Sequence, residues 1–304
     1  MRNSFFRILL WLAVIAVFTL AAMGIWLIAS GGSQSTESLK WLQFLQTLGT
    51  FTLPPILCAW LWNNHKPFSW LKLNKGLSWQ TALLAIGIMI CAIPAINLLA
   101  DLNSRIVLPK SLDFIEQFLK QQEEAAAVLT ERFLQADNFG TLLINIGLMA
   151  LLPALAEELS FRGTLQQILS HSESSERSFS GSGLSAQRSY SHRRSALAIW
   201  LTAIIFSAIH MQFYGFIPRM LLGAMFGYVF LWTGSLWAPI LMHFTNNAIA
   251  VISYYLTANS QWQTANGTNL ADTFGAGSTW WIGVLSLLIT SLGLLIFVRR
   301  THKE

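Results

Sequence analysis

Apolar runs of about 20 residues recur along this chain and limit its architecture more than any other feature. The first extends from Ile8 to about Ala29. About 20 consecutive apolar residues, coiled as a helix, match the hydrocarbon thickness of a bilayer. Inside it every backbone N–H and C=O must be bonded within the protein, which leaves such runs the helix as their form. Further runs extend from about Trp41 to Trp62, Leu77 to Ala100, Phe139 to Leu169, Ser195 to Phe213 and Phe216 to Trp232; two more end near Leu256 and cover Trp280 to Val298. Together they predict an all-α, polytopic membrane helical bundle of about eight transmembrane helices. Composition agrees: 54% of residues are hydrophobic and 11% charged, against roughly 25% charged in soluble domains.

The first run is longer than the apolar core of a signal peptide, so it reads as a retained helix although Ala21-Ala22-Met23-Gly24 mimics a cleavage site. Pro54 and Pro55 predict a kink in the second span. Placing both termini in the cytoplasm gives the inside-facing segments about twice the Lys and Arg of the outside-facing ones, as the positive-inside rule favours. The net charge of +5 therefore reads as an orientation signal; no basic stripe with interleaved aromatics points to nucleic acid. Cys58 and Cys91 both lie in apolar runs without CxxC spacing and read as apolar filling.

Three regions follow along the chain. Residues 1–138 hold three spans and an amphipathic connection; residues 139–256 hold the chemistry-bearing spans around a Ser- and Gly-rich insert at 171–194; residues 257–304 hold a polar loop and the last span. The insert has the composition of a flexible linker. In the connection from Asp101 to Asn138, Phe114, Phe118, Leu119, Leu129 and Phe133 recur near helical spacing among Glu116, Lys120, Glu123, Glu124, Glu131 and Arg132. This predicts one or two amphipathic helices on the membrane surface. A solvated surface helix is favoured over a substrate gate.

Ionised side chains interrupt the fourth run at Glu157, Glu158 and Arg162. A charge near the bilayer centre costs about 2.5–3.5 kcal/mol on insertion scales, so such residues usually face the bundle interior and mark function. Glu158 and Arg162 stand at i and i+4 on one helical face, where they can pair, while Glu157 lies about a quarter turn away. Glu158 and Arg162 thus read as a structural pair and Glu157 as the working carboxylate. Later spans bring His210, His243 and Asn247 into apolar surroundings. A carboxylate and two imidazoles can activate water by proton transfer, or Glu157, His210 and His243 can together hold a metal such as zinc. Asn247 can donate to an oxyanion or fix the ring of His243. No HExxH, GxSxG elbow or helical Cys–His pair offers a different chemistry.

Glu157-Glu158-Leu159-Ser160-Phe161-Arg162 resembles the EExxxR motif of the CAAX protease and bacteriocin-processing (CPBP) family of intramembrane proteases, related to type II CAAX prenyl endopeptidases. Phe206-Ser207-Ala208-Ile209-His210 resembles its FxxxH motif and His243-Phe244-Thr245-Asn246-Asn247 its HxxxN motif, in the family's order. The resemblance implies an intramembrane endopeptidase with Glu157 as general base, His210 as its partner, and His243 and Asn247 supporting the transition state. It also implies no cofactor, with zinc as the alternative. The implied partners are the bilayer and a membrane-associated peptide or protein substrate, lipid-modified in some branches. The compact motif-bearing half resembles bacterial members, which implies a multi-pass protein of the bacterial cell membrane. Phe206 reads as a packing residue. Two other classes compete: a non-proteolytic membrane scaffold or immunity protein, and a proton-coupled transporter, which also uses buried Glu and His. Against transport, hydropathy shows no internal repeat and the acids cluster in one half.

Overall fold

The computed structural model of the chain describes residues 3–170, 184–259 and 274–301. Every regular element among them is a helix. The long helices are α1 (Ser4–Ser30), α2 (Thr36–Trp62), α3 (Trp79–Ser104), α4 (Asp113–Leu134), α5 (Phe139–Ser170), α6 (Leu184–Ala208), α7 (Phe216–Thr233), α8 (Trp237–Asn259) and α9 (Trp280–Thr301). Among the described residues six helices are long and apolar enough to cross a bilayer by themselves: α1, α2, α3, α5, α7 with its preceding turn, and α9. The two remaining predicted spans are helical but less apolar. His243, Asn246 and Asn247 interrupt α8, and the apolar part of α6 begins only at Ser195 and ends at Ala208.

Two predicted boundaries move. The fifth span was expected to continue to about Phe213, yet α6 stops at Ala208 and His210 stands in the turn beyond it. The linker expected over 171–194 is helical from Leu184 onward; its earlier part, like most of the predicted 257–278 loop, lies outside the described residues.

The chain forms two compact units, each gathered from separate stretches. The first holds Met1–Gly76, Leu155–Ile204 and Ala224–Pro239. In it α2 widens into a π-helical turn over Thr47–Thr52, immediately before Pro54 and Pro55. Pro55 has no N–H to give the carbonyl of Phe51 four residues earlier. Ser160 Oγ of α5 donates to that carbonyl instead, at 3.0 Å. A backbone defect in one helix thereby becomes the anchor of the helix that carries the acidic motif.

The second unit holds Leu77–Ala154, Ile205–Gly223 and Ile240–Glu304. A comparable repair occurs at α3, which contains Pro94: Ser286 Oγ of α9 accepts from Ala95 N at 3.0 Å and donates to the Cys91 carbonyl. Gly275, at φ 101°, lies where any Cβ would stand 2.0 Å from the Pro94 carbonyl oxygen, so only glycine fits. Leu142, Ala150, Ala248 and Val251 build a core between α5 and α8, with Phe244 and Tyr255 packed on it.

The predicted amphipathic connection is a single helix, α4. Its orientation is the reverse of a soluble amphipathic helix. Phe114 is 83% exposed and Phe118 44%, whereas Glu116, Leu119, Glu123 and Ala126, at i, i+3, i+7 and i+10, form a half-buried stripe that continues to buried Phe133.

Candidate active site

The acidic motif lies in α5, where the helix opens into a second π-helical turn, Phe161–Gln166. Such turns inside α-helices concentrate at functional sites. Arg162 Nη1 donates to Glu158 Oε1 at 2.6 Å, and both side chains are wholly buried. The guanidinium also lies 5.4 Å from the Phe226 ring centroid, itself buried, in a cation–π arrangement. Glu157, one residue from the pair, is half-buried and contributes to the electrostatic field at Arg162.

Polar residues after the pair fasten the motif to its surroundings. Gln166 Nε2 donates to the Gly227 carbonyl at 3.1 Å, and Gln167 Nε2 to the carbonyls of Trp70 and Gly163 at 2.9 and 2.6 Å. Gly227 permits this approach, since a Cβ there would meet Gln166 Oε1 and Ile199 at 2.8 Å. Gly227 of α7 therefore serves close helix packing.

The histidines belong to the second unit. His210 follows the end of α6 in a turn closed by His210 N to Ser207 O and Met211 N to Ala208 O. Met211 adopts φ 53°, a left-handed conformation that costs a non-glycine residue about 1–3 kcal/mol and persists where neighbours over-determine it. His210 Nδ1 lies 2.7 Å from the Phe206 carbonyl oxygen. A carbonyl only accepts, so Nδ1 carries a proton, and in the neutral ring this tautomer presents the lone pair of Nε2.

Phe206 lies between the two histidines: its ring centroid is 5.1 Å from that of His210 and 6.1 Å from that of His243, both edge-on. This buried side chain packs edge-on against both imidazoles. His243 is buried on α8, and Asn247, one turn later, is half-buried with Oδ1 accepting from Asn246 Nδ2 at 3.1 Å. Glu157, Glu158 and Arg162 thus fall in the first unit, and His210, His243 and Asn247 in the second. Among the described residues no three His, Cys, Asp or Glu side chains are grouped as metal ligands would be.

Residues 139–249 match the family model described as Rce1-like type II CAAX prenyl endopeptidase. The matched segment is similar to that CAAX protease family. All three motifs fall inside it, and with its apolar helices the chain is a multi-pass membrane protein. Comparisons with curated proteins and with solved structures found no match.

Sequence reading passed over several residues that the structure makes part of these two motif regions. Ser160, Gln166 and Gln167 hold the acidic segment, and Ser207, fully buried, donates to the Phe216 carbonyl at 2.7 Å beside the His210 turn. Each is a polar residue in an apolar run, and that signal was available.

Proposed function

We propose that the chain is an intramembrane endopeptidase in which Glu157 activates the attacking water and no metal takes part. The observation that carries this reading is the match of residues 139–249 to the CAAX protease family model, with EExxxR, FxxxH and HxxxN motifs in order inside it. Glu157 takes a proton from water as the oxygen attacks the scissile carbonyl carbon, and the C=O electron pair moves onto oxygen. His210, through Nε2, orients the water. His243 and the Asn247 amide support the oxyanion. Glu157 then returns its proton to the leaving nitrogen as the C–N bond breaks. Apolar surroundings strengthen each of these polar contacts. The half-buried state of Glu157 and the Nδ1-protonated form of His210 support these roles.

The substrate class follows from the family: a membrane-associated protein or peptide, cut within the bilayer near its cytoplasmic half, with a prenylated tail as one form. Both termini lie in the cytoplasm of a bacterial cell in this reading, and cysteine labelling after residues 35 and 120 tests the orientation.

Purified protein is incubated with a panel of membrane-tethered and prenylated peptides, with and without chelator. Cleavage lost in Glu157→Gln and His210→Ala but insensitive to chelator is the expected result. Loss with chelator and rescue by zinc would make Glu157, His210 and His243 metal ligands. Absence of cleavage across the panel would favour a scaffold or immunity role.

A further inference from the structure

The turn that carries His210 is held from outside the family-matched segment. We infer that Glu123 and Asn103, assisted by Glu116, are positioning residues for His210. The inference rests on the reading of His210 as a catalytic group.

Four observations in the second unit support it. First, Asn103, 2% exposed near the end of α3, grips both sides of the loop after His210: Nδ2 donates to the Phe213 carbonyl at 2.9 Å, and Oδ1 accepts from Ile217 N at 3.0 Å. Second, Glu123 Oε2 of α4 accepts from the backbone N–H of Tyr214 at 3.1 Å, and Glu116 Oε1 accepts from the Tyr214 hydroxyl at 3.3 Å. Third, these two carboxylates occupy the half-buried stripe of α4 while Phe114 and Phe118 stay exposed. Bonding to Tyr214 accounts for the covered face, and Phe114 and Phe118 are left on the side that a surface helix turns to lipid. Fourth, the intervening Met211 holds a left-handed conformation, which requires such restraint.

Helix ends and turns have few internal backbone partners, and the loop from Gln212 to Ile217 finds them on α3 and α4. The acceptors fix where the chain leaves His210 and thereby the direction of its imidazole. Geometry of this kind controls rate more than substrate affinity, and a misplacement of about 1 Å can cost roughly a hundredfold.

The test uses the full-length protein with a membrane-tethered peptide that the wild type cleaves. Glu123→Ala is expected to lower kcat by roughly ten- to a hundredfold with little change in KM. Glu123→Gln, whose amide oxygen still accepts from the Tyr214 N–H, is expected to restore most of that rate. Backbone amide exchange over residues 209–217 should rise in Glu123→Ala and Asn103→Leu and stay near wild type in Glu123→Gln. Wild-type kcat in Glu123→Ala, or equal losses in the Ala and Gln variants, would overturn the inference. If Asn103→Leu does not fold, the two Glu123 variants decide alone. If His210→Ala still cleaves, the catalytic reading of His210 fails separately; amide exchange then judges the clasp, with unchanged exchange in Glu123→Ala overturning it.

Discussion

Around Glu158 and Arg162 the polar side chains close on one another. The pair meets at 2.6 Å with both side chains wholly buried, and Ser160, Gln166 and Gln167 tie the same stretch of helix to neighbouring backbone. Around His210 the arrangement is looser. The ring is half-buried, one nitrogen is committed to the Phe206 carbonyl, and the next residue sits in a strained turn. The contrast separates two uses of polarity in an apolar medium. A charge that is fully enclosed and paired fixes the packing of its helix, whereas a group that must exchange protons needs an unengaged lone pair and access to water. Glu157, half-buried beside the pair, is less enclosed than either of its members.

The largest effects should fall on activity at Glu157 and His210. Glu157→Gln and His210→Ala are each expected to slow cleavage by about 10²–10⁴-fold, while thermal unfolding in detergent stays close to wild type. A large drop in unfolding temperature for either would merge the two categories. The enclosed pair should behave in the opposite way. Arg162→Ala strands Glu158 in apolar surroundings, a loss of about 3–5 kcal/mol, seen as low abundance and early unfolding. Wild-type stability of Arg162→Ala would break the comparison.

Smaller effects sharpen it. Ser160→Ala leaves the Phe51 carbonyl without the hydroxyl that replaces the missing N–H of Pro55, at a cost of about 1–3 kcal/mol. An unfolding measurement should detect this, with kcat of the folded fraction unchanged.

The smallest effect concerns the exposed end of α4. The hydrogen bond from Lys120, at 2.8 Å, is the main cause holding the Glu116 carboxyl below its usual value of 4.5, with the Leu108 N–H and the Tyr214 hydroxyl assisting. A carboxyl lowered in the folded state contributes stability above its unfolded value and loses it as pH falls through the folded one. Lys120, raised above 10.5 chiefly by the same bond, keeps its share until the pH climbs through its folded value. Amide protection factors over residues 113–120, corrected for the intrinsic pH dependence of exchange, should therefore be flat near neutrality and fall toward acid. Lys120→Ala should weaken that dependence, and an unchanged acid response in this variant would remove the pair from the account.

Much of the fold was legible because apolar runs in a bilayer have few structural options. Ile8 to Ala29 and Trp280 to Val298 fall within α1 and α9, whose continuous apolar composition leaves the backbone no alternative to helix. Boundaries near polar groups were less legible. The run through Ile209 and His210 stays apolar enough to read as helix, yet α6 ends at Ala208, where Ser207 bonds the Phe216 carbonyl and the chain turns. The face of α4 was hidden for a related reason: spacing identifies an amphipathic helix, but which side is covered depends on Tyr214, 91 residues beyond Glu123.

The candidate groups Glu157, His210, His243 and Asn247 stand out in the sequence because ionisable and amide side chains are costly in apolar runs and leave a visible mark there. The i, i+4 placement of Glu158 and Arg162 is likewise a property of helix geometry alone. Only tertiary structure decided how these residues are held: the Phe206 ring between two imidazoles, Ser160 on the carbonyl that Pro55 leaves open, and Glu123 on the backbone beyond His210. Those contacts join residues far apart in the chain. Local periodicity describes one helix at a time, so it cannot carry the pairing of a donor on one helix with an unsatisfied carbonyl on another.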